Sequence, residues 1–252
     1  MSRFARVHGV KRATGAYKVL NRQVGKAQEA YSMIQEGDRV AVGISGGKDS
    51  FTLMWILRER LSRIPVKYHL EGIHIDPGFD DSSADEIAQY CESMNYRLRV
   101  EKTDFGIRAH SDENRENPCF LCSRLRRQRL FELAQEMGCT KIALGHHKDD
   151  LIETLFMNMC YTGEIATMKP YQEFFGGEIT VIRPLAYTDE KNIAYFARAM
   201  NMPEIENACP TSGASKREEI KQLLEGLYKQ NPKIRGNLFR SMSRVKTDYL
   251  LK

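Results

Sequence analysis

Apolar and polar positions along this chain follow two alternating periods. Val10, Tyr17, Leu20, Val24, Ala27, Tyr31 and Ile34 recur at spacings of three and four after the first, which predicts an amphipathic helix over residues 10–35. A short apolar run follows, Asp38-Arg39-Val40-Ala41-Val42-Gly43-Ile44, and then a second amphipathic stretch from Phe51 to Leu61. These two runs predict a strand followed by a helix. The pair recurs downstream. Lys67 to Asp76 reads as a buried strand closed by Pro77-Gly78, Ser82 to Asn95 as a helix, Tyr96 to Lys102 as a strand, and Asn117 to Met137 as a helix. Thr140 to Gly145 and the stretch ending near Cys160 repeat it once more. Beyond them lie a Gly176-Gly177 turn, a strand-like Ile179 to Pro184, and a helix over Asp189 to Met200. Residues 214–228 and 231–250 read as two basic helices, and the polar, aperiodic residues 103–118 as a loop. Strands alternating with helices of these lengths predict βαβ units and an α/β fold: a doubly wound, mostly parallel sheet with helical N- and C-terminal extensions. The expected organisation is a basic helical segment over residues 1–36, a central domain over 37–210 and a basic helical extension over 211–252.

At 252 residues, with 42% hydrophobic and 28% charged positions, the chain can bury a sizeable core as one large domain or two smaller ones. No apolar run reaches the length of a membrane span, so no membrane role is expected. The start, Met1-Ser2-Arg3-Phe4-Ala5-Arg6, is basic but lacks the hydrophobic segment of a secretory signal, and the expected location is the cytoplasm. In that compartment six cysteines do not form a disulfide framework. Net charge is only +5, but its distribution says more. Residues 1–28 hold seven Lys or Arg and no acid, residues 215–252 hold ten basic against four acidic side chains, and Arg124, Arg126, Arg127 and Arg129 cluster after a cysteine pair. Three such runs point to a polyanion such as RNA, although charge alone does not separate RNA from DNA or from an acidic protein.

The candidate chemistry begins at Ser45-Gly46-Gly47-Lys48-Asp49-Ser50, between the first strand and its helix. Adjacent glycines let the backbone curl close to an anion, and the free N–H groups of the following helix start point at it along the positive end of the dipole. Ser45 and Ser50 can add hydroxyl donors, Lys48 a point charge, and Asp49 a ligand for Mg²⁺. The loop is not a Walker sequence, which needs four residues between its first glycine and Gly-Lys. Ligands of an open parallel sheet gather at the C-terminal ends of strands. His74, Asp76 and Gly145 all fall there, with the strand near His74 placed to read an adenine and Gly145 allowing close backbone approach. Asp149 and Asp150 open the next helix, one as a cap and the other as a group for Mg²⁺ or a phosphate-bound water. Cys119 and Cys122 form a CxxC at a helix start beside four arginines, a setting that would lower thiol pKa values. The resulting thiolates could serve as metal ligands, nucleophiles or redox partners. Cys209 lies in the loop Asn207-Ala208-Cys209-Pro210, while Cys139 and Cys160 read as core thiols.

Ser45 to Ser50 resembles the PP-loop of the ATP-pyrophosphatase superfamily, enzymes of an adenine nucleotide alpha hydrolase-like fold that adenylate a carbonyl oxygen and release pyrophosphate. With Cys119-Phe-Leu-Cys122-Ser-Arg-Leu-Arg-Arg127, Leu144-Gly-His-His-Lys-Asp-Asp150 and Val181-Ile-Arg-Pro-Leu185, the chain is similar to the tRNA 2-thiocytidine biosynthesis (TtcA-like) family from about residue 20 to residue 210. The resemblance implies a tRNA substrate, ATP, Mg²⁺ and a 4Fe-4S cluster held by Cys119, Cys122 and Cys209. It implies that Gly43, Ser45, Gly46, Gly47, Lys48, Asp49, Ser50, His74, Arg126, Gly145 and Asp150 contact the nucleotide or its metal, with Lys48, Asp49, Asp150 and the three cysteines in catalytic roles. Three cysteine ligands would leave one iron open for a hydrosulfide, supplied by a cysteine desulfurase persulfide or by free sulfide. A homodimer is left open. The alternatives that stand beside this reading are a tRNA 2-thiouridine synthetase, a cluster-free persulfide relay on the same cysteines, a structural zinc clip, and an ATP-switched redox-sensing RNA-binding protein. The terminal cysteine pairs of the 2-thiouridine branch are missing here, and the segment after Cys209 resembles the family only loosely.

Overall fold

A computed structural model describes residues 10–79, 81–205, 209–211 and 216–251. Arg3 and Arg6 of the basic start, Asn207 and Ala208 before Cys209, and the first residues of the helix expected from 214 lie outside them. Contact density divides the chain into two units, residues 1–147 with 169–210, and residues 148–168 with 211–252.

The first unit is built on a sheet. Its strands are β1 (Arg39–Gly43), β2 (His69–Asp76), β3 (Leu98–Lys102), β4 (Lys141–Ala143), β5 (Tyr171–Phe174) and β6 (Ile179–Ile182), in the order β3-β2-β1-β4-β6-β5. All neighbours run parallel except β5, which is antiparallel to β6. The helices of this unit are α1 (Val10–Ala30), α2 (Lys48–Leu61), α3 (Asp81–Ser93), the short α4 (Phe105–Ala109), α5 (Pro118–Glu136) and, later in the chain, α7 (Glu190–Ala199). Side chains alternate across the sheet, as period-two geometry demands. Val40 and Val42 face a core with Leu20, Val24 and Ala27 of α1, Phe51 and Ile56 of α2, and Ile193 and Phe196 of α7. Ala41, Ile73, Ile75, Ile142 and Val181 face the other way, onto Phe131, Leu133 and Ala134 of α5. Both faces are therefore covered, the doubly wound arrangement of a parallel sheet. Helix α1 is part of this core: Trp55 meets Phe196 at 4.9 Å and Tyr17 edge-on at 5.8 Å, and truncating the fully buried Leu20 to Ala would cost about 2–5 kcal/mol.

Two elements depart from the sequence expectation. Residues 103–118 are not all loop, because Phe105–Ala109 forms a helical turn with Gly106 against Phe79, where an added Cβ would meet the ring at 2.5 Å. The edge strand β5 was invisible in the pattern, since Tyr171-Gln-Glu-Phe174 has one side of its ladder open and only partial burial.

The second unit holds α6 (Lys148–Met157), a π-helical turn over Asn158–Thr162, α8 (Lys216–Gln230) and α9 (Lys233–Ser241). Ile152, Ile220 and Leu224 form its small core, with Phe156, Leu238, Phe239 and Met242 packed around them. The helix expected over 231–250 stops at Ser241. Val245, Leu250 and Leu251 are all exposed, so nothing past Met242 supplies an apolar face to hold a longer helix.

Candidate active site

β1 is the strand at which the chain order reverses. It pairs with β2 on one side and β4 on the other, and the crevice at such a switch point is where open α/β sheets bind ligands. The loop Ser45–Ser50 leaves β1 there, and Gly145 follows β4 at the same place.

The two loop glycines do different things. Gly46 has φ +89°, and an added Cβ would fall 2.8 Å from the Ile205 carbonyl oxygen and 3.0 Å from Ile87 Cδ1. Gly47 has φ −79°, and an added Cβ would meet only Ser45 Oγ, at 3.6 Å. Gly46 is thus required by backbone conformation and close packing, whereas Gly47 keeps the mouth of the loop bare. Gly145 permits a further close approach, since an added Cβ would lie 3.1 Å from Asp49 C and 3.2 Å from Ser50 N. At Gly43 it would meet Leu144 Cδ2 at 2.9 Å, the tip of a side chain that can shift. The serines shape the loop from within. Ser50 Oγ donates to the Gly47 carbonyl at 2.9 Å and accepts from the Ser45 amide at 3.1 Å, while Ser45 Oγ donates to Ser50 Oγ at 3.3 Å. Their hydroxyl protons, which the sequence suggested for an anion, are engaged inside the turn.

Lys48 opens α2 and is surrounded by carboxylates. Its Nζ lies 3.4 Å from Glu190, 3.5 Å from Asp49 and 3.8 Å from Glu204. Burial pulls its pKa down, but Asp49, Glu190 and Glu204 together outweigh burial and hold it above the ordinary lysine value. Glu190 and Glu204 were missed by sequence reasoning. They lie far downstream in no motif, and only the folding of α7 and the segment after it onto the loop brings them here.

His74 is fully buried in β2. Its Nδ1 lies 2.8 Å from the carbonyl oxygen of Ile44, the residue before the loop, so Nδ1 carries the proton and donates. Nε2 is left as a buried acceptor with no hydrogen-bond partner among the described residues. Burial lowers the imidazole pKa, the bond to Ile44 opposes that, and the Arg126 charge lowers it further. Asp76 Oδ1 accepts from the Gly78 amide at 2.9 Å, which is a turn-capping role.

Arg126 belongs to α5, which also carries the cysteine pair. Asn117 caps this helix, accepting from the Phe120 amide at 3.2 Å, with Pro118 at its first position. Cys119 and Cys122 therefore share one face of the first turn, three residues apart. Cys122 is half-buried, and its thiol pKa is raised: burial pushes it up, Arg126 pulls down, and Cys209 and Cys119 push up again. The depressed thiol expected from a helix start among arginines is not found at Cys122, because burial and like-charged neighbours outweigh one guanidinium. The same coupling shows that Cys209 has returned to the head of α5. None of the three is in a disulfide.

No set of three or more His, Cys, Asp or Glu side chains among the described residues is drawn into closed metal-binding geometry. The donor chemistry nonetheless fits an iron–sulfur cluster, which takes thiolates as ligands. Cys119 and Cys209 both stand close enough to Cys122 to raise its pKa, and thiols gathered in this way are a set that a cationic core would neutralise. The other cysteines divide differently. Cys139 is buried as expected, but Cys160, expected in the core, is exposed, because α6 gives way there to a π turn with no buried residue.

Asp149 and Asp150 belong to the second unit, in the first turn of α6. Arg235 Nε lies 3.1 Å from Asp149 Oδ1 and Arg217 Nη1 3.4 Å from Asp150 Oδ1, so both acids have arginine partners from the C-terminal helices. No sequence signal marked Arg217 or Arg235 for this.

A PP-loop domain profile matches residues 16–226. The chain belongs to the PP-loop domain family. The matched span contains the loop at Ser45–Ser50, His74, Gly145, Asp150 and all three cysteines. The chain is similar to the tRNA-cytidine(32) 2-sulfurtransferase of Geobacter sulfurreducens, 40% identical over 238 residues that cover 93% of each protein. It is equally similar to the protein of that name from Citrifermentans bemidjiense, 40% identical over 239 residues and 94% of each. In three dimensions it resembles the U34-tRNA thiolase NcsA from Methanococcus maripaludis with its 4Fe-4S cluster, at a TM-score of 0.73 and 23% identity, over 94% of this chain and 80% of that one. That likeness is one of fold.

Proposed function

We propose that this protein is an ATP-dependent tRNA sulfurtransferase that replaces the 2-oxygen of a cytidine, the residue class named in its relatives, with sulfur. One observation carries the reading. A continuous series of neighbours links the phosphate loop to the thiols: Ile44 to His74 by hydrogen bond, His74 to Arg126 and Arg126 to Cys122 by charge, and Cys122 to Cys119 and Cys209. A base carbonyl lying along that series would have a triphosphate on one side and a sulfur source on the other.

ATP is the co-substrate. The bare mouth at Gly47 and the N–H groups at the start of α2 suit its phosphates, with Lys48 as counter-charge. The carboxylates around Lys48 leave surplus negative charge, which a Mg²⁺ ion arriving with the nucleotide would offset. The base oxygen attacks the α-phosphorus and pyrophosphate leaves, so a poor leaving oxygen becomes part of AMP. Sulfur then adds at the ring carbon and AMP departs with the original oxygen. With hydrosulfide as donor this exchange needs no electrons. With a persulfide donor, a second thiol must supply two electrons and end as a disulfide. A 4Fe-4S cluster held by Cys119, Cys122 and Cys209 would supply an iron without a protein ligand for sulfur to reach. Electrostatic positioning by Lys48 and the loop amides, rather than covalent catalysis, carries the adenylation.

The test is anaerobic. The purified protein is assayed for iron and acid-labile sulfide and then incubated with ATP, Mg²⁺, sulfide and tRNA, and the nucleosides are examined by mass spectrometry. The expected results are bound iron and sulfide, release of AMP and pyrophosphate, and sulfur gained on cytidine. Sulfur on uridine instead would move the protein to the 2-thiouridine activity, and tRNA that gains none while pyrophosphate is never released would refute the reading.

A further inference from the structure

Helix α5 borders a second feature, distinct from its cysteine-bearing first turn. A cavity of about 590 Å³ opens between α5 and the β5–β6 hairpin, with Arg127, Gln128, Phe131, Phe174, Phe175 and Glu178 among its lining. Ligand sites are commonly roughly 300–1,000 Å³, apolar in the main, with a few polar groups that fix orientation.

Three phenyl rings make the apolar wall. Phe131 lies 5.0 Å from Phe174 and 5.6 Å from Phe175, the latter edge-on. Phe131 is nearly buried, but Phe175 is 65% exposed and holds φ +52°, a left-handed conformation rare for a bulky residue. An exposed ring and a left-handed backbone both cost stability at this position. The hairpin does not need an aromatic there, because Gly176 and Gly177 beside it already supply left-handed positions at φ +67° and +97°. The cavity's polar groups are of the kind that read base edges: the Glu178 carboxylate, the Arg127 guanidinium, and the Gln128 amide, whose Nε2 donates to Glu132 of the same lining at 3.0 Å. Arg127 makes no ion pair with any described residue, whereas Arg124 beside it is held by Glu116 at 3.0 Å. Residues 117–131 hold four arginines and no acid, but Arg124 is paired with Glu116, Arg129 with Glu101, Glu132 and Glu136, and Glu132 also lines the cavity, so Arg127 is the cation of the lining placed to meet a phosphate.

We propose that this cavity holds a second unpaired nucleobase of the RNA substrate, stacked on Phe175 with a flanking phosphate on Arg127. The proposal rests on the RNA-thiolation reading above and adds to it a site away from the reacting base. Phe131 follows Cys122 by nine residues, roughly 14 Å along a helix, so one strand lying along α5 reaches both. Stacking on an aromatic face tolerates any base, and the edge groups add a preference.

The test uses the full-length protein and a fluorescein-labelled RNA hairpin with the sequence of a tRNA anticodon arm. Anisotropy gives RNA affinity, and ATP affinity and the thermal midpoint are measured on the same preparations. Phe175→Ala should weaken RNA binding about 5- to 150-fold and leave ATP affinity unchanged. Phe175→Trp should retain RNA affinity, with indole fluorescence quenched as RNA is added. Arg127→Gln, which disturbs no packing, should weaken binding and lower the log–log salt slope by about 0.7–0.9. Wild-type RNA affinity in both Phe175→Ala and Arg127→Gln would overturn the proposal while leaving thiolation intact. A change in sedimentation with RNA affinity unchanged would reassign the pocket to self-association and overturn it as well. Failure of the wild-type protein to bind the hairpin would instead remove the RNA reading itself, and this site with it.

Discussion

The two adjacent loop glycines should respond to the same substitution in opposite ways. Gly46→Ala places a methyl group where φ is +89° and where a backbone oxygen, that of Ile205, stands 2.8 Å away. The left-handed conformation costs an alanine about 1–2 kcal/mol, and overpacking against a group that cannot rotate aside costs roughly 1–3 kcal/mol. A total of about 2–5 kcal/mol corresponds to a fall in melting temperature of roughly 4–20 °C for a chain of this size. Relief would come from pushing Ile205 away, which breaks its 3.0 Å amide bond to the Gly46 carbonyl and loosens the segment leading to Cys209. Gly47→Ala meets only Ser45 Oγ at 3.6 Å with φ already negative, so its melting temperature should stay within about 2 °C of wild type. Its methyl does, however, sit at the bare mouth of the loop, and ATP affinity should fall. Differential scanning calorimetry with isothermal ATP titration separates the two effects. Equal melting temperatures for the two variants would refute the assignment of Gly46 as the conformationally required glycine.

Three further outcomes follow from the same geometry. Cys119→Ala, Cys122→Ala and Cys209→Ala should each lose bound iron and sulfide on anaerobic purification, while Cys160→Ala, at an exposed position outside the trio, should retain both; iron kept in all four variants would remove the cluster from these thiols. Lys233, Arg240 and Arg244 are exposed in and just beyond α9, within residues 226–247 that contain no acid, and replacing all three by Gln should reduce the log–log salt slope of tRNA binding by about 2–3 with no change in melting temperature. His74 is held below its ordinary pKa of 6.5, chiefly by burial, so the unfolded chain binds its proton more readily than the folded one. The stability it contributes is fully present above about pH 6.5 and is lost as pH falls toward the folded value. His74→Asn, which keeps a donor for Ile44, should flatten stability against pH across that window, and an unchanged melting profile would show that the imidazole is not held neutral.

Legibility in the sequence followed the range of the interactions. The parallel strands and their helices were visible because each is set by its own periodicity, and the loop after β1 by the coincidence of a strand end, two glycines and a helix start within a few residues. Gly145 could be placed beside the loop for the same reason, as a strand-end glycine. What depended on groups distant in the chain was not visible. Spacing says nothing of Glu190 and Glu204 closing on Lys48, so their charge at the loop could not be anticipated. The serines looked like ligand donors because their hydrogen bonds to Gly47 and to each other exist only once the turn has its shape.

The cysteines carry the sharpest lesson, because there a sound local rule gave the wrong sign. A helix N-terminus and a neighbouring arginine do favour a thiolate. At Cys122 they are opposed by burial and by two more thiols, one of them from far along the chain, and the balance tips upward. The reversal is itself informative. A solitary nucleophile or redox cysteine is served by a lowered pKa, and crowding three thiols together works against that. Crowding is useful when the protons are to be displaced together by a metal, since each added thiolate then becomes an attraction to the cation instead of a repulsion between ligands. The proposed cluster would use the three cysteines jointly, so loss of any one should release the whole metal content, not a third of it.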